Sequence, residues 1–176
     1  MSHRYTRLAF IVATLIISGV ASAAQSGTLT KGDRTFIEKA AKGGVAEVEL
    51  GNLAQQKAQN QQVKDFAARM VQDHSKANEE LKSIASAKGV AVPSEMDKSA
   101  LKEKEKLEKL TGAKFDREYM GHMVKDHKKD VKEFANEAKN AKDGDVKNFA
   151  AATLPTLQEH LKLAQAAERA AKSRPK

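Results

Sequence analysis

Apolar residues along this chain recur every three to four positions between about residue 33 and residue 170, the period of helices with one buried face. Phe36, Ile37, Ala40, Ala41, Gly44, Val45 and Val48 make the first such stripe, predicting a helix from about Asp33, an N-cap residue by type, to about Ala58. The short turn Asn60-Gln61 leads into a second helix, from about Gln62 to Lys88, stopped by Gly89. A loop, VAVPSEMD, and a shorter charged helix from about Glu95 to Leu110 follow. Thr111-Gly112 breaks the pattern. A fourth helix is predicted from about Ala113 to Lys139, and a fifth from about Asp145 to Ala170, interrupted near Pro155.

Short turns favour antiparallel neighbours, so helices one and two form one hairpin and helices four and five another. Residues 89–112 are too many for a turn, and their short helix would span roughly 24 Å at 1.5 Å per residue. The predicted fold is therefore all-α: a ferritin-like antiparallel four-helix bundle with one long crossover carrying a short extra helix. The hairpins echo one another, with VKDFA at 63–67 and VKNFA at 146–150, and with Phe36 and Phe115 opening helices one and four. Duplication and helix-rich composition both account for that echo.

Polar residues interrupt the stripes at matching heights. Met-Val-x-Asp-His-x-Lys occurs at 70–76 and again at 123–129. His74 lies on the stripe of Met70, Val71, Ala77 and Leu81; His127 lies on that of Met123, Val124, Val131 and Phe134. His160 has Leu157, Leu163 and Ala164 around it, and Glu47 has Ala40, Gly44, Leu50 and Ala54. All four sit near mid-helix, so the bundle would gather a carboxylate and three imidazoles into one layer of its interior. Unpartnered burial of such groups costs several kcal/mol, which calls for a partner. A transition metal (iron, zinc, manganese or copper) is one such partner for Glu47, His74, His127 and His160. A closed His–carboxylate network that fixes core geometry is a second, and general acid–base chemistry a third.

Composition narrows the setting. Ala, Lys, Glu and Gln dominate, as expected of an all-helical domain. Cysteine is absent, which excludes disulfides, thiolate metal sites and cysteine nucleophiles. Arg4 and Arg7, the apolar run Leu8 to Val20 and the small-residue triplet Ala21-Ser22-Ala23 form a cleavable signal peptide over 1–23. That run of thirteen residues is shorter than the ~20 a bilayer span requires, so no membrane anchor is expected after cleavage. Residues 24–32 then read as a linker, 33–170 as the bundle and 171–176 as a basic tail, in a periplasmic or secreted protein. The formal charge is +8, and loss of Arg4 and Arg7 leaves it near +6, with 29 basic residues against 23 acidic ones. The excess is spread as mixtures such as LKEKEKLEKL at 101–110, a solvated helix surface suited to weak contact with anionic surfaces. No base-reading motif with interleaved aromatics marks a nucleic-acid partner.

Four segments, FIEKAAKGGVAEVELGNLAQQKA (36–58), VKDFAARMVQDHSKANEELKSIA (63–85), FDREYMGHMVKDHKK (115–129) and FAAATLPTLQEHLKLAQ (149–165), carry a resemblance. Together they are similar to an exported bacterial family known as domain of unknown function 4142, over roughly Asp33 to Ala170. The resemblance implies a ferritin-like bundle in the periplasm or cell envelope, by analogy a stress-related one, and no established reaction. The chain departs from metal-binding members of the wider ferritin-like group, which place a glutamate three residues before each metal-binding histidine. Val71, Val124 and Leu157 stand there instead, while Asp73, Asp126 and Glu159 directly precede the histidines, about 100° away around the helix. A carboxylate-bridged di-iron centre is thus not expected; a mononuclear site stays open. The leading functional class is a non-enzymatic envelope protein suited to one transition-metal ion. A metal-free scaffold or interaction module, and a redox or hydrolytic metalloenzyme, are the competing classes.

Several further residues carry expectations. Asp73 and Asp126 read as solvent-facing flanks beside Lys76 and Lys129, Tyr119 as an edge-of-core tyrosine, and His122 as a surface residue. Met70, Met120 and Met123 read as core filler, and Gly43-Gly44 as a point of close helix approach. Pro155 predicts a kink, or a restart capped by Thr156 and Glu159.

Overall fold

A computed structural model describes residues 29–173 and contains five helices: α1 (Lys31–Lys57), α2 (Gln61–Ala87), α3 (Lys98–Glu108), α4 (Gly112–Asn140) and α5 (Gly144–Ser173). The signal peptide expected over 1–23 lies outside the described residues. Helices α1 and α2 pack along their length as one hairpin, and α4 and α5 as the other. The hairpins meet chiefly through α2 and α5, while α1 and α4 touch at fewer points. The crossover carrying α3 joins them. Gly89 and Gly112, with φ of +64° and +61°, turn the backbone at its two ends, in a region that glycine enters without steric cost.

Helix α1 starts earlier than its stripe suggests. Thr30 is the N-cap and Asp33 is the third residue of its capping box, accepting from the Thr30 backbone N–H at 2.9 Å. The other oxygen of Asp33 accepts from the Lys142 N–H at 3.0 Å and so ties the start of α1 to the α4–α5 turn. Two other buried aspartates do similar work. Asp116 of α4 accepts from the backbone N–H groups of Gln59 and Asn60, at 3.1 and 2.9 Å, holding the α1–α2 turn. Asp143 accepts from the N–H groups of Asp145 and Val146 and from Lys88 Nζ, joining the ends of α2 and α5. Helix α5 continues unbroken through Pro155 to Ser173, and Ala171 near its end is buried. The carbonyl a proline frees belongs to the residue four before it, here Ala151, which is exposed, so water can satisfy it.

The apolar interior falls into two clusters. One contains Leu50, Ala54, Val63, Phe66, Met70, Phe115, Tyr119, Met123, Val124 and Ala164. The other contains Phe36, Ile37, Ala41, Leu81, Phe134, Phe149 and Leu157. On each long helix one polar residue falls between its contributions to the two: Glu47 on α1, His74 on α2, His127 on α4 and His160 on α5. The bundle is two apolar halves separated by a polar layer.

Candidate metal centre

His74, His127 and His160 meet in that layer. Their ring centroids form a near-equilateral triangle, with sides of 5.7 Å between His74 and His127 and 5.4 Å for each of the other two pairs. One nitrogen from each ring lies within 4.8 Å of those of the other two. All three side chains are buried, His127 completely. Helical register explains the convergence: each histidine follows a buried residue one turn earlier, Met70, Met123 and Leu157 respectively, that fixes the same face inward.

Hydrogen bonding sets which nitrogens are free. His127 Nδ1 lies 2.9 Å from the Met123 carbonyl oxygen, which can only accept, so Nδ1 carries the proton and Nε2 the lone pair. His160 Nε2 donates to Asp73 Oδ2 at 2.8 Å, leaving Nδ1 as the lone-pair nitrogen. The leftover atoms, His127 Nε2 and His160 Nδ1, have no hydrogen-bond partner, nor does His74 Nε2. Burial, and then the charge of neighbouring histidines, pushes His74 well below its usual range and His127 down to about 4. Burial also lowers His160, against the opposing pull of Asp73. At neutral pH the three rings are neutral imidazoles, each bringing one nitrogen within 4.8 Å of those of the other two. That arrangement is repulsive until a cation or a donor enters it.

Glu47 stands beside the triangle and outside the converging nitrogens. Its Oε1 is 3.9 Å from His127 Nδ1, the nitrogen already engaged with Met123, and its Oε2 is buried without a partner. Burial, then Asp130 and Asp126, raises its carboxyl well above the ordinary range. Tyr119 is fully buried, not at the edge of the core; it stacks on Phe115 at 5.9 Å, and its hydroxyl has no partner. Burial, and then the charge of Glu47, pushes that hydroxyl well up. Among the described residues, the buried side-chain polar atoms without a partner are those of Glu47, His74, Tyr119, His127 and His160.

Two expectations about flanking residues change. Asp73 is half-buried and bridges Arg69 Nε, at 3.3 Å, to His160 on another helix, so it is not a solvent-facing flank. His122 pairs with Asp126 at 3.0 Å and is half-buried. The methionines 70, 120 and 123 sit in the first apolar cluster as filler. At the positions where di-iron proteins carry glutamate, Val124 and Leu157 belong to the apolar clusters and Val71 lies against Gly51. Gly44, but not Gly43, marks a close approach: a Cβ there would lie 1.9 Å from Asn78 Oδ1.

The donor set fits a metal ion. Three neutral imidazoles from three helices present free lone pairs, and two of them donate their second N–H to a carbonyl or a carboxylate, as metal-ligating histidines do. No helix among the described residues is long and apolar enough to cross a membrane.

Similar folds occur among solved structures. A DUF305 fragment from Deinococcus radiodurans aligns with a TM-score of 0.70 at 11% identity, over 80% of this chain and 97% of that one. A putative secreted DUF305 protein from Streptomyces coelicolor aligns at 0.68 and 14% identity, over 81% and 94%. CopM in its Cu(II)-bound form aligns at 0.66 and 19% identity, over 78% and 95%. No curated protein matches the sequence. The family model for the domain of unknown function DUF4142 matches residues 18–167, nearly all of the described bundle, and the chain belongs to that family.

Proposed function

We propose that this protein is an exported, non-enzymatic binding protein for a single transition-metal ion, held by His74, His127 and His160. The carrying observation is that one nitrogen from each of three buried rings converges within 4.8 Å on those of the other two, and that each ring has a buried nitrogen without a hydrogen-bond partner. Leaving such groups empty in an apolar interior costs about 1–3 kcal/mol each, and one cation would satisfy all three. Glu47 would neutralise part of the ion's charge from beside His127 without being a ligand in this geometry. Export is supported by the basic, apolar and small-residue order of 1–23 and by a fold neighbour described as a putative secreted protein.

Imidazole donors suit copper, zinc and iron. Copper is the first metal to test, because a fold neighbour is known in a Cu(II)-bound form. The test is elemental analysis of tag-free protein isolated from the envelope fraction, followed by titration of the apo chain with Cu(II) and Zn(II). One equivalent bound, and lost in His74→Ala, His127→Ala and His160→Ala, is the expected result. No bound metal, and no change in melting on metal addition, would leave the layer a metal-free core network.

A further inference from the structure

The metal-binding reading leaves open how an ion reaches a buried triangle. Two clefts touch it. The larger, about 570 Å³, lies against the α1–α4 seam and is lined at depth by Glu47 and His74 and along its wall by Asp126 and Asp130. The smaller, about 350 Å³, opens between α2 and α5 beside His74 and His160.

Their chemistry differs. In the smaller cleft Asp73 is already shared between His160 and Arg69, and Arg69 and Lys76 sit in its lining. In the larger one, His122, Asp126 and Asp130 follow one another every four residues along one face of α4. Glu133 at its rim is taken up by Lys39, at 4.0 Å. Asp126 and Asp130 repel each other, and both repel Glu47. Burial and then Asp126 push the Asp130 carboxyl up to about 7. Glu47, 3% exposed and on the opposite helix, lines the deep part of this cleft with Oε2 unpartnered. Asp126 is paired with His122, and Lys39, Lys42, Lys125 and Lys129 also line this cleft, but its six carboxylates outnumber those four lysines, whereas the smaller cleft has two of each sign. That excess of carboxylates, ending at Glu47 and His74, favours a passing cation.

We propose that the α1–α4 cleft is a cation-loading port, in which Asp130, Asp126 and Glu47 are successive carboxylate contacts for a divalent metal ion on its way to the three histidines. This rests on the metal-binding reading. The carboxylates act in succession, since only the histidine nitrogens converge closely enough to bind one ion together. Hard oxygen donors hold a divalent ion weakly and exchange it fast, and the imidazoles then take it more tightly.

Two variants test the port without entering the triangle. Asp130→Asn keeps shape and removes charge. Gly43→Phe adds a plug where a side chain meets nothing within 4 Å, at an exposed residue lining this cleft. Ala152→Phe plugs the α2–α5 cleft at an exposed position for comparison. Loading is followed by stopped-flow absorbance of the imidazole–Cu(II) charge-transfer band, with Cu(II) as the probe. Asp130→Asn and Gly43→Phe should slow the bimolecular phase about tenfold while leaving its final amplitude intact, and Ala152→Phe should load at the wild-type rate. Wild-type rates in both port variants, or slowing confined to Ala152→Phe, overturn the port while the binding reading stands. If the wild-type chain gives no band at all, the binding reading fails first.

Discussion

Replacing Asp73 by alanine tests whether the metal centre extends past its three rings. Asp73 Oδ2 accepts from His160 Nε2 at 2.8 Å, which fixes both the ring's orientation and which nitrogen keeps its lone pair. A hydrogen bond to a charged group contributes about 1.5–3 kcal/mol. Two features place this one at the lower end: the Asp73 side chain is 27% exposed, and its oxygen is shared with Arg69. About 1.5–2 kcal/mol corresponds to roughly 10–30-fold in Kd. The apo fold should lose less than about 1 kcal/mol, because water in the α2–α5 cleft can replace the lost acceptor. Alanine is also the best helix former, so α2 itself is not weakened. Competition with a chromophoric chelator for Cu(II) measures the first quantity, and urea melting of the apo chain the second. Asp73→Asn, which retains an acceptor oxygen, should fall between. If Asp73→Ala binds within about twofold of wild type while His160→Ala does not bind, Asp73 is merely an ion-pair partner of Arg69, and this reasoning is refuted.

Other expectations concern the scaffold. Asp116→Ala should cost about 2–4 kcal/mol in urea melting, because the N–H groups of Gln59 and Asn60 lose their acceptor. Gly51→Ala should destabilise by about 1–3 kcal/mol despite alanine's helix propensity, since its Cβ would lie 2.9 Å from Val71 Cγ2 and 3.1 Å from the Ala67 carbonyl oxygen. Gly43→Ala, with nothing within 4 Å, should instead stabilise by about 1 kcal/mol in the same assay. Apo stability should respond to pH through opposing groups, the depressed histidines on one side and the raised carboxyls of Glu47 and Asp130 on the other. His127, depressed to about 4, lowers stability as pH falls from about 6.5 to about 4, because the unfolded chain takes up the proton first. Asp130, raised to about 7, does the opposite, its contribution being lost as pH rises from about 4 to about 7. Asp130→Asn should therefore steepen the acid loss by roughly 3 kcal/mol relative to wild type in urea melts between pH 6.5 and 4, and equal slopes in the two proteins would contradict it.

The histidine layer was legible in sequence because two facts sufficed: each histidine's place on a 3.6-residue stripe and its distance from the helix ends. Both survive folding, since short turns fix the heights of hairpin partners. What escaped depends on how helices are rotated about their axes, which periodicity does not specify. Asp73 sits about 100° from His74 around α2, and only the rotation of α5 toward it turns a flank into the partner of His160. Glu47 has the right stripe and height, yet α1 is turned so that its carboxylate meets the Nδ1 edge of His127. Asp33 is expected as the N-cap by residue type, whereas Thr30 holds that place and Asp33 completes the capping box; its bond to Lys142, 109 positions away, leaves no mark in the sequence.

The rotation of α1 has a structural consequence. The three imidazoles come from α2, α4 and α5, so an ion bound to them would cross-link both hairpins through the helices that already pack together. Helix α1 contributes only Glu47 and is held chiefly by its hairpin with α2, which is why the seam between α1 and α4 remains the loose one. A bundle built in this way can keep a rigid three-helix binding face while a fourth helix, lined with carboxylates on the wall opposite, leaves a path to solvent. The polar layer, which interrupts the apolar core and costs stability there, is then also the level at which the cleft meets Glu47 and His74.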